Sequence, residues 1–187
     1  DVLPVAERLG VGGPIVTASG ALVKRREDHA TLFRAAFAPG VLRSVLDVVA
    51  ARGHEPVLYT DSFAAGFDFH CRSLPDPLGT PAGLGEYLAR NRHLARLAPD
   101  LHRAPPDDVF AGFAMGPREA MEGLEAALHA ACPGQLSLHV IRSPRYRDWM
   151  CEVAPAGVTK WSGVAAIAAA AGIPAAAMCA VGDDRND

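Results

Sequence analysis

The pattern of hydrophobic and polar positions divides the chain into short apolar runs and amphipathic stretches. Strand-like stretches, some apolar throughout and others with polar residues among the apolar ones, lie at residues 14–18, 30–37, 56–60, 66–72, 108–115, 136–141, 149–153 and 175–181. Apolar positions at helical spacing predict helices over residues 2–9, 39–52, 84–97, 117–132 and 159–171. This alternation predicts an α/β chain with a mixed α+β block in its middle and an α/β unit at its end.

The last apolar run leads directly into a cluster of carboxylates. Residues 175–181 are apolar at every position, and Gly182 then precedes Asp183, Asp184 and Asp187. A strand that is apolar throughout is typical of a parallel sheet covered on both faces, whose ligands bind beyond the carboxyl ends of its strands. The carboxylates would lie either in water, as a solvated acidic loop, or around a hard cation such as Mg²⁺.

Composition excludes some classes of partner. The net charge of −3 gives no reason to expect nucleic acid or an anionic membrane surface as a partner, and no apolar run is long enough to span a bilayer. The four cysteines, Cys71, Cys132, Cys151 and Cys179, form no CxxC pair. Cys132, Cys151 and Cys179 fall in or beside apolar segments, so we expect buried, reduced thiols and a cytoplasmic location. The chain starts without methionine and stops within a motif, so we expect both ends to be cut.

A second informative stretch is Gly157-Val158-Thr159-Lys160, which opens a predicted helix. Thr159 has the side chain of an N-cap residue, which would put Lys160 in the first helical turn. The helix dipole disfavours a cation there by about 0.3–1 kcal/mol. Lys160 is therefore either an ordinary surface lysine or the partner of an anion bound at this position.

These stretches together resemble a known family. Residues 151–160, the helix ending at residues 171–173 and residues 180–187 resemble the Cof-type class IIB phosphatases of the haloacid dehalogenase (HAD) superfamily. Residues 15–21 are similar to that family's strand followed by Asn-Gly-Ala, with Ser19 in place of asparagine. The resemblance implies a partial HAD-type Rossmann-like parallel-sheet core at residues 1–21 and 155–187, with an inserted α+β cap domain at residues 22–154.

The resemblance also implies roles for individual residues. Lys160 would contact the nucleophilic aspartate and the transferred phosphoryl group, and Asn186 would hydrogen-bond near that group. Asp183 and Asp187 would help to hold Mg²⁺, and Ser19 and Gly20 would contact substrate. The implied activity is Mg²⁺-dependent hydrolysis of a small phosphorylated metabolite, such as a sugar phosphate, through an aspartyl-phosphate.

One part of the family pattern has no counterpart in the sequence. The Asp-x-Asp motif that carries the nucleophile and the acid/base residue is missing, as is the Ser/Thr phosphate-binding motif. We therefore expect no phosphatase activity from the chain alone. A phosphotransferase or mutase on the same scaffold remains open, as does a catalytically silent binding or regulatory domain.

Several other residues admit two interpretations. His70-Cys71 has no partner at metal-ligand spacing, so packing is the expected role. Arg90, Arg92 and Arg96 form either a solvated helix face or a contact for an anionic substrate. The remaining candidates, which would either line the cap's face toward the active site or simply pack in a sheet, are Tyr59, Asp61, Phe67 and Phe69.

Overall fold

The computed structural model describes residues 3–10, 12–74 and 82–179. Contacts between Cα atoms divide the chain into one unit of residues 1–35 and 158–187 and a second unit of residues 36–157. The chain passes between the two units after residues 35 and 157, whereas the predicted domain boundaries come after residues 21 and 154. The first differs because the strands at residues 22–24 and 31–34 pair with the strand at residues 15–17. The assignment of the two units as core and cap stays a prediction.

The first unit combines a small antiparallel sheet with a helix from the far end of the chain. Its described elements are α1 (Leu3–Arg8), β1 (Ile15–Thr17), a 3₁₀ turn (Ala18–Gly20), β2 (Leu22–Lys24), β3 (Thr31–Arg34), α5 (Lys160–Ala170) and a second 3₁₀ turn (Ala175–Ala177). The strand order is β1-β2-β3, with Val16 opposite Val23 and Val23 opposite Phe33. Short connections join consecutive strands here, and such connections permit only antiparallel pairing.

The predicted final strand at residues 175–181 is wrong over its described part. Residues Ala175–Ala177 form a 3₁₀ turn that begins after Pro174 and is exposed to solvent. Alanine has a low preference for strands, and proline favours the start of a helical turn. Residues 180 and 181 lie outside the described ranges.

The second unit is built on a mixed six-stranded sheet. Its described α-helices and strands are α2 (Val41–Ala51), β4 (Val57–Thr60), β5 (Phe69–Cys71), α3 (Ala82–Arg90), β6 (Ala95–Leu97), β7 (Val109–Gly116), α4 (Arg118–Ala131), β8 (Leu136–Arg142) and β9 (Trp149–Pro155). The strand order is β6-β5-β4-β7-β9-β8. Among the described strands only β5 and β6 pair in parallel. No helix within the described ranges is long and apolar enough to cross a bilayer.

Strand β7 lies at the centre of this sheet and is buried along its whole length. Its alternate side chains enter different cores. Ala114 packs with side chains of α2 and α4, whereas Phe113 and Met115 pack with side chains of α3 and β5. The sheet is therefore covered on both faces, which explains why this strand is apolar at every position.

Most predicted elements are present, but the helix predicted over residues 84–97 is too long. Helix α3 ends at Arg90, and residues 95–97 form β6, which pairs in parallel with β5. The Asn91 side-chain amide donates to the Tyr87 carbonyl oxygen at 2.8 Å, and its backbone N–H donates to the same oxygen. Asparagine favours such local hydrogen bonds over continuation of a helix.

The cysteines are free thiols, as expected, but they differ in burial. Cys71, Cys132 and Cys151 are buried, whereas Cys179, which was expected to be buried, is exposed. Burial raises the pKa of Cys71 to about 11 and that of Cys151 to about 12. These two thiols are therefore protonated at neutral pH, and packing rather than reactivity accounts for them.

We expect the protein to lose stability on acidification because two histidines of the second unit resist protonation. Burial and, to a smaller extent, the charge of Arg96 lower the pKa of His70 below the ordinary 6.5. Burial and the charge of Arg52 lower the pKa of His54 in the same way. The unfolded chain then binds more protons, so the stabilisation present above about pH 6.5 is lost as pH falls below that value. Urea unfolding at about pH 7.5 and 5.5 measures the loss.

The matched variants for this measurement are His70→Gln and His129→Gln. His70 is partly buried on β5, and His129 is exposed on α4. His70→Gln should reduce the difference in unfolding free energy between the two pH values, and His129→Gln should leave it unchanged. Equal pH dependence in all three proteins would contradict the role given to His70.

Candidate active site

Helix α5 begins as predicted, with Thr159 as its N-cap and Lys160 as its first residue. The Ser162 backbone N–H donates to Thr159 Oγ1 at 3.0 Å, and the Thr159 backbone N–H donates to Ser162 Oγ at 2.9 Å. The two side chains thereby satisfy each other's backbone donors in a capping box. The Thr-x-x-Ser spacing was the sequence signal for Ser162, whose role the sequence analysis missed.

The turn at Ala18–Gly20, which carries two of the predicted site residues, packs against this helix start. Gly20 is buried, and an ideal Cβ placed on it would lie 1.9 Å from the carbonyl oxygen of Thr159 and 2.9 Å from the backbone nitrogen of Lys160. Any side chain at residue 20 would therefore collide with the first peptide of α5. Gly20 and Lys160, predicted to share a site from distant parts of the sequence, are brought together by this contact.

A second glycine on the helix allows the same close approach. A Cβ on Gly163 would lie 3.0 Å from both the Gly20 carbonyl oxygen and Cγ1 of Val16. Gly163 interrupts an alanine-rich helix, where glycine costs about 1 kcal/mol relative to alanine. That cost was the signal, which the sequence analysis did not use, that the backbone of another segment lies close to this position.

The turn itself holds an uncommon backbone conformation. Ala18, Ser19 and Gly20 have φ angles of 47°, 51° and 102°, so three consecutive residues lie at positive φ. Each non-glycine residue in this region costs about 1–2 kcal/mol. Asparagine is enriched there, which gives a backbone reason for the asparagine of the family pattern at the position of Ser19. Strain of this kind is concentrated at functional sites.

The remaining predicted site residues, Asp183, Asn186 and Asp187, lie outside the described residues. Within the described ranges, no three His, Cys, Asp or Glu side chains are grouped to hold a metal ion. The roles of Asp183 and Asp187 as Mg²⁺ ligands stay a prediction.

The other candidates from the sequence pack within the second unit. The Tyr59 ring lies against Phe69, Phe110 and Phe113 at centroid distances of 6.4, 6.2 and 5.8 Å. His70 lies edge-on to Phe67, with ring centroids 5.1 Å apart. Tyr59 and Phe69 thus pack in a hydrophobic core of this unit, whereas Phe67 and His70 are partly exposed.

The sequence and the fold identify the class of protein. The family model for haloacid dehalogenase-like hydrolases matches residues 1–187. The chain therefore belongs to the haloacid dehalogenase-like hydrolase family, as the resemblance of its motifs implied. No curated protein sequence matches the chain.

Solved structures support the same fold. A haloacid dehalogenase-like hydrolase from Bacteroides thetaiotaomicron superimposes with a TM-score of 0.71 at 18% identity, over 100% of this chain and 65% of its own. The phosphatase BT1666 from the same organism gives a TM-score of 0.66 at 15% identity, over 100% of this chain and 62% of its own. The subclass IIB sugar phosphatase BT4131 gives a TM-score of 0.60 at 13% identity, over 92% of this chain and 58% of its own.

These similarities confirm the predicted fold class, an α/β chain with a partial HAD-type Rossmann-like core. The described strands of the first unit nevertheless pair antiparallel. The chain spans 58–65% of the length of these three structures.

The contact between Gly20 and α5 predicts a large effect of one methyl group. Gly20→Ala should destabilise the protein by about 3 kcal/mol, because overpacking against backbone adds to the cost of an L-residue at positive φ. Chemical denaturation monitored by circular dichroism measures the change.

Gly13→Ala is the matched control. Gly13 belongs to the same unit and has a φ of 98°, but a Cβ there would meet no atom within 4 Å. Gly13→Ala should lower the free energy of unfolding only by the cost of an L-residue at positive φ, about 1–2 kcal/mol. Equal costs for the two variants would show that residue 20 does not touch α5.

Proposed function

We propose that the chain forms part of a Mg²⁺-dependent phosphohydrolase that removes the phosphoryl group from a small metabolite, such as a sugar phosphate. The observation that carries the proposal is the position of Lys160 at the first turn of α5, against the turn that bears Ser19 and Gly20. The structural relatives include proteins described as phosphatases, which supports the same reaction class.

Lys160 has the chemistry that phosphoryl transfer requires. Its ammonium group is a compact positive charge, and it extends from a helix start where backbone N–H groups already favour an anion. A dianionic phosphoryl group bound here would offset the unfavourable interaction between lysine and the helix dipole. Lys160 would then stabilise the negative charge of the phosphoryl oxygens while the bond to the leaving oxygen breaks.

Lysine is rare in this chain, which supports a specific role for Lys160. Of the 18 basic residues, only Lys24 and Lys160 are lysines. Lys24 lies on β2, and its Nζ donates to Thr31 Oγ1 at 3.0 Å across the small sheet. A chain that uses arginine almost everywhere retains lysine at the helix start, where a wide planar guanidinium would fit a single phosphoryl oxygen less well.

The turn beside Lys160 would position the substrate. Its backbone is fixed by the contact with α5 and by the hydrogen bond from the Ala21 N–H to the Ala18 carbonyl oxygen at 3.0 Å. A preformed turn costs little entropy when a ligand binds, so Ser19 and Gly20 are suited to substrate contact.

Asp183 and Asp187 would hold Mg²⁺, and Asn186 would orient a phosphoryl oxygen. The bound ion supplies Lewis-acid neutralisation of phosphoryl charge. We further propose a cytoplasmic location and neither nucleic acid nor membrane as partner, on the reduced thiols and the acidic net charge.

Lys160→Met in the full-length protein tests the proposal directly. Loss of one charge that stabilises the transition state should lower kcat for p-nitrophenyl phosphate with Mg²⁺ by about two to three orders of magnitude. Lys24→Met removes the same charge from the small sheet and should leave kcat within about twofold. Similar kcat values in both variants would refute the role of Lys160, and an inactive wild-type protein would favour the silent alternative.

Metal titrations test the assignment within the acidic motif. Asp183→Asn should weaken Mg²⁺ binding in the full-length protein by more than about tenfold, because Asp183, unlike Asp184, matches a ligand position of the family. Asp184→Asn removes the same charge from the neighbouring residue and should change the affinity little. Calorimetric titration measures both, and equal losses would mean that the register of the motif is wrong.

A further inference from the structure

An open depression in the second unit is lined mainly by arginine. It has a volume of about 630 Å³ and is formed by the last turns of α3 and by the tip of the β8–β9 hairpin. The residues that determine its chemistry are Glu86, Arg90, Arg142, Arg145, Tyr146 and Arg147. Four guanidinium groups thus face one carboxylate, in a chain whose net charge is −3. We refer to it as the arginine depression.

The hairpin tip, which carries Arg145, Tyr146 and Arg147, is held in place by α3. The Arg147 backbone N–H donates to Glu86 Oε2 at 3.0 Å, and Arg147 Nε donates to Glu86 Oε1 at 2.9 Å. The Tyr146 hydroxyl accepts a hydrogen bond from Asn91 Nδ2 at 2.9 Å. Both ends of α3 take part, since the Gly83 N–H donates to Asp148 Oδ2 at 3.0 Å.

Close packing adds to this attachment. A Cβ on Gly83 would lie 2.0 Å from the Arg147 carbonyl oxygen, so the hairpin backbone lies directly on the first turn of α3. The Tyr146 N–H also donates to the buried Ser143 Oγ at 3.1 Å within the tip. The arginines therefore extend from a fixed backbone, which reduces the entropy that a ligand must remove.

The depression is electropositive even after its one carboxylate is counted. The Arg147 N–H, together with the charges of Arg147 and Arg90, lowers the pKa of Glu86, so this carboxylate stays ionised and paired with Arg147. Arg90 lies over the Tyr146 ring at 5.6 Å from its centroid, which orients its guanidinium toward the hairpin tip. Arg142 lies at the end of β8 with its side chain exposed.

We propose that the arginine depression binds a small polyanion that carries two adjacent phosphoryl groups. Guanidinium groups pair with phosphate oxygens in a bidentate geometry, and several of them around one concavity match two phosphoryl groups better than one. The volume lies within the range of small-molecule sites, about 300–1,000 Å³. A group of arginines confined to one depression of an acidic chain favours a small ligand over an extended nucleic acid.

Inorganic pyrophosphate is the probe that tests this site. Titrations by calorimetry use the full-length protein with a chelator and the Lys160→Met substitution, so that the proposed phosphoryl site contributes no signal. Pyrophosphate should bind, and inorganic phosphate should bind at least about tenfold more weakly. In the same Lys160→Met protein, the further double substitution Arg142→Gln and Arg90→Gln should weaken pyrophosphate binding by at least about tenfold.

Arg72→Gln is the matched control, because Arg72 is an exposed arginine of the same unit that pairs with Glu55 at 2.8 Å. It should leave pyrophosphate binding unchanged, and unfolding temperatures within a few degrees of each other would exclude misfolding as the cause of a loss. Undetectable pyrophosphate binding, or an equal loss in control and double variant, would overturn the proposal. Tighter binding of a single-stranded RNA than of pyrophosphate would also overturn it, in favour of a nucleic-acid surface.

Discussion

The candidate site depends on one contact between backbones. The turn at residues 18–20 can lie against the first peptide of α5 only because Gly20 and Gly163 have no side chains. This contact joins segments that are separated by the whole second unit along the chain. It also sets where Lys160 leaves the helix relative to Ser19. Any chemistry assigned to Lys160 and Ser19 therefore requires glycine at both of these positions.

The start of α5 could be predicted from the sequence because the determinants are local. Thr159 lies two residues after Gly157 and just before an alanine-rich helical stretch, so the N-cap and the position of Lys160 follow from nearby residues. The β8–β9 hairpin was equally accessible, with its turn at residues 143–148. Strand β2 was missed because three residues between a turn and a charged loop show too little alternation to mark a strand.

Other features could not be read because they depend on tertiary contacts. The packing of Gly163 against Gly20 and the pairing of β6 with β5 are set by partners distant in sequence. Arg90 was recognised as part of a charged helix face, but its neighbours in the arginine depression come from a hairpin more than fifty residues later. The fold alone brings these arginines into one depression, where they can bind the same ligand.

The position of Trp161, next to Lys160 in the first turn of α5, has a practical consequence. The chain has two tryptophans, and the other one, Trp149, lies on β9 beneath the guanidinium of Arg118, 4.9 Å from its ring centroid. Each unit therefore contains a single indole. Trp161 is 40% exposed. With Trp149 replaced by phenylalanine, the tryptophan emission of residues 1–187 would come from the helix start alone, which turns Trp161 into an optical reporter of events beside Lys160.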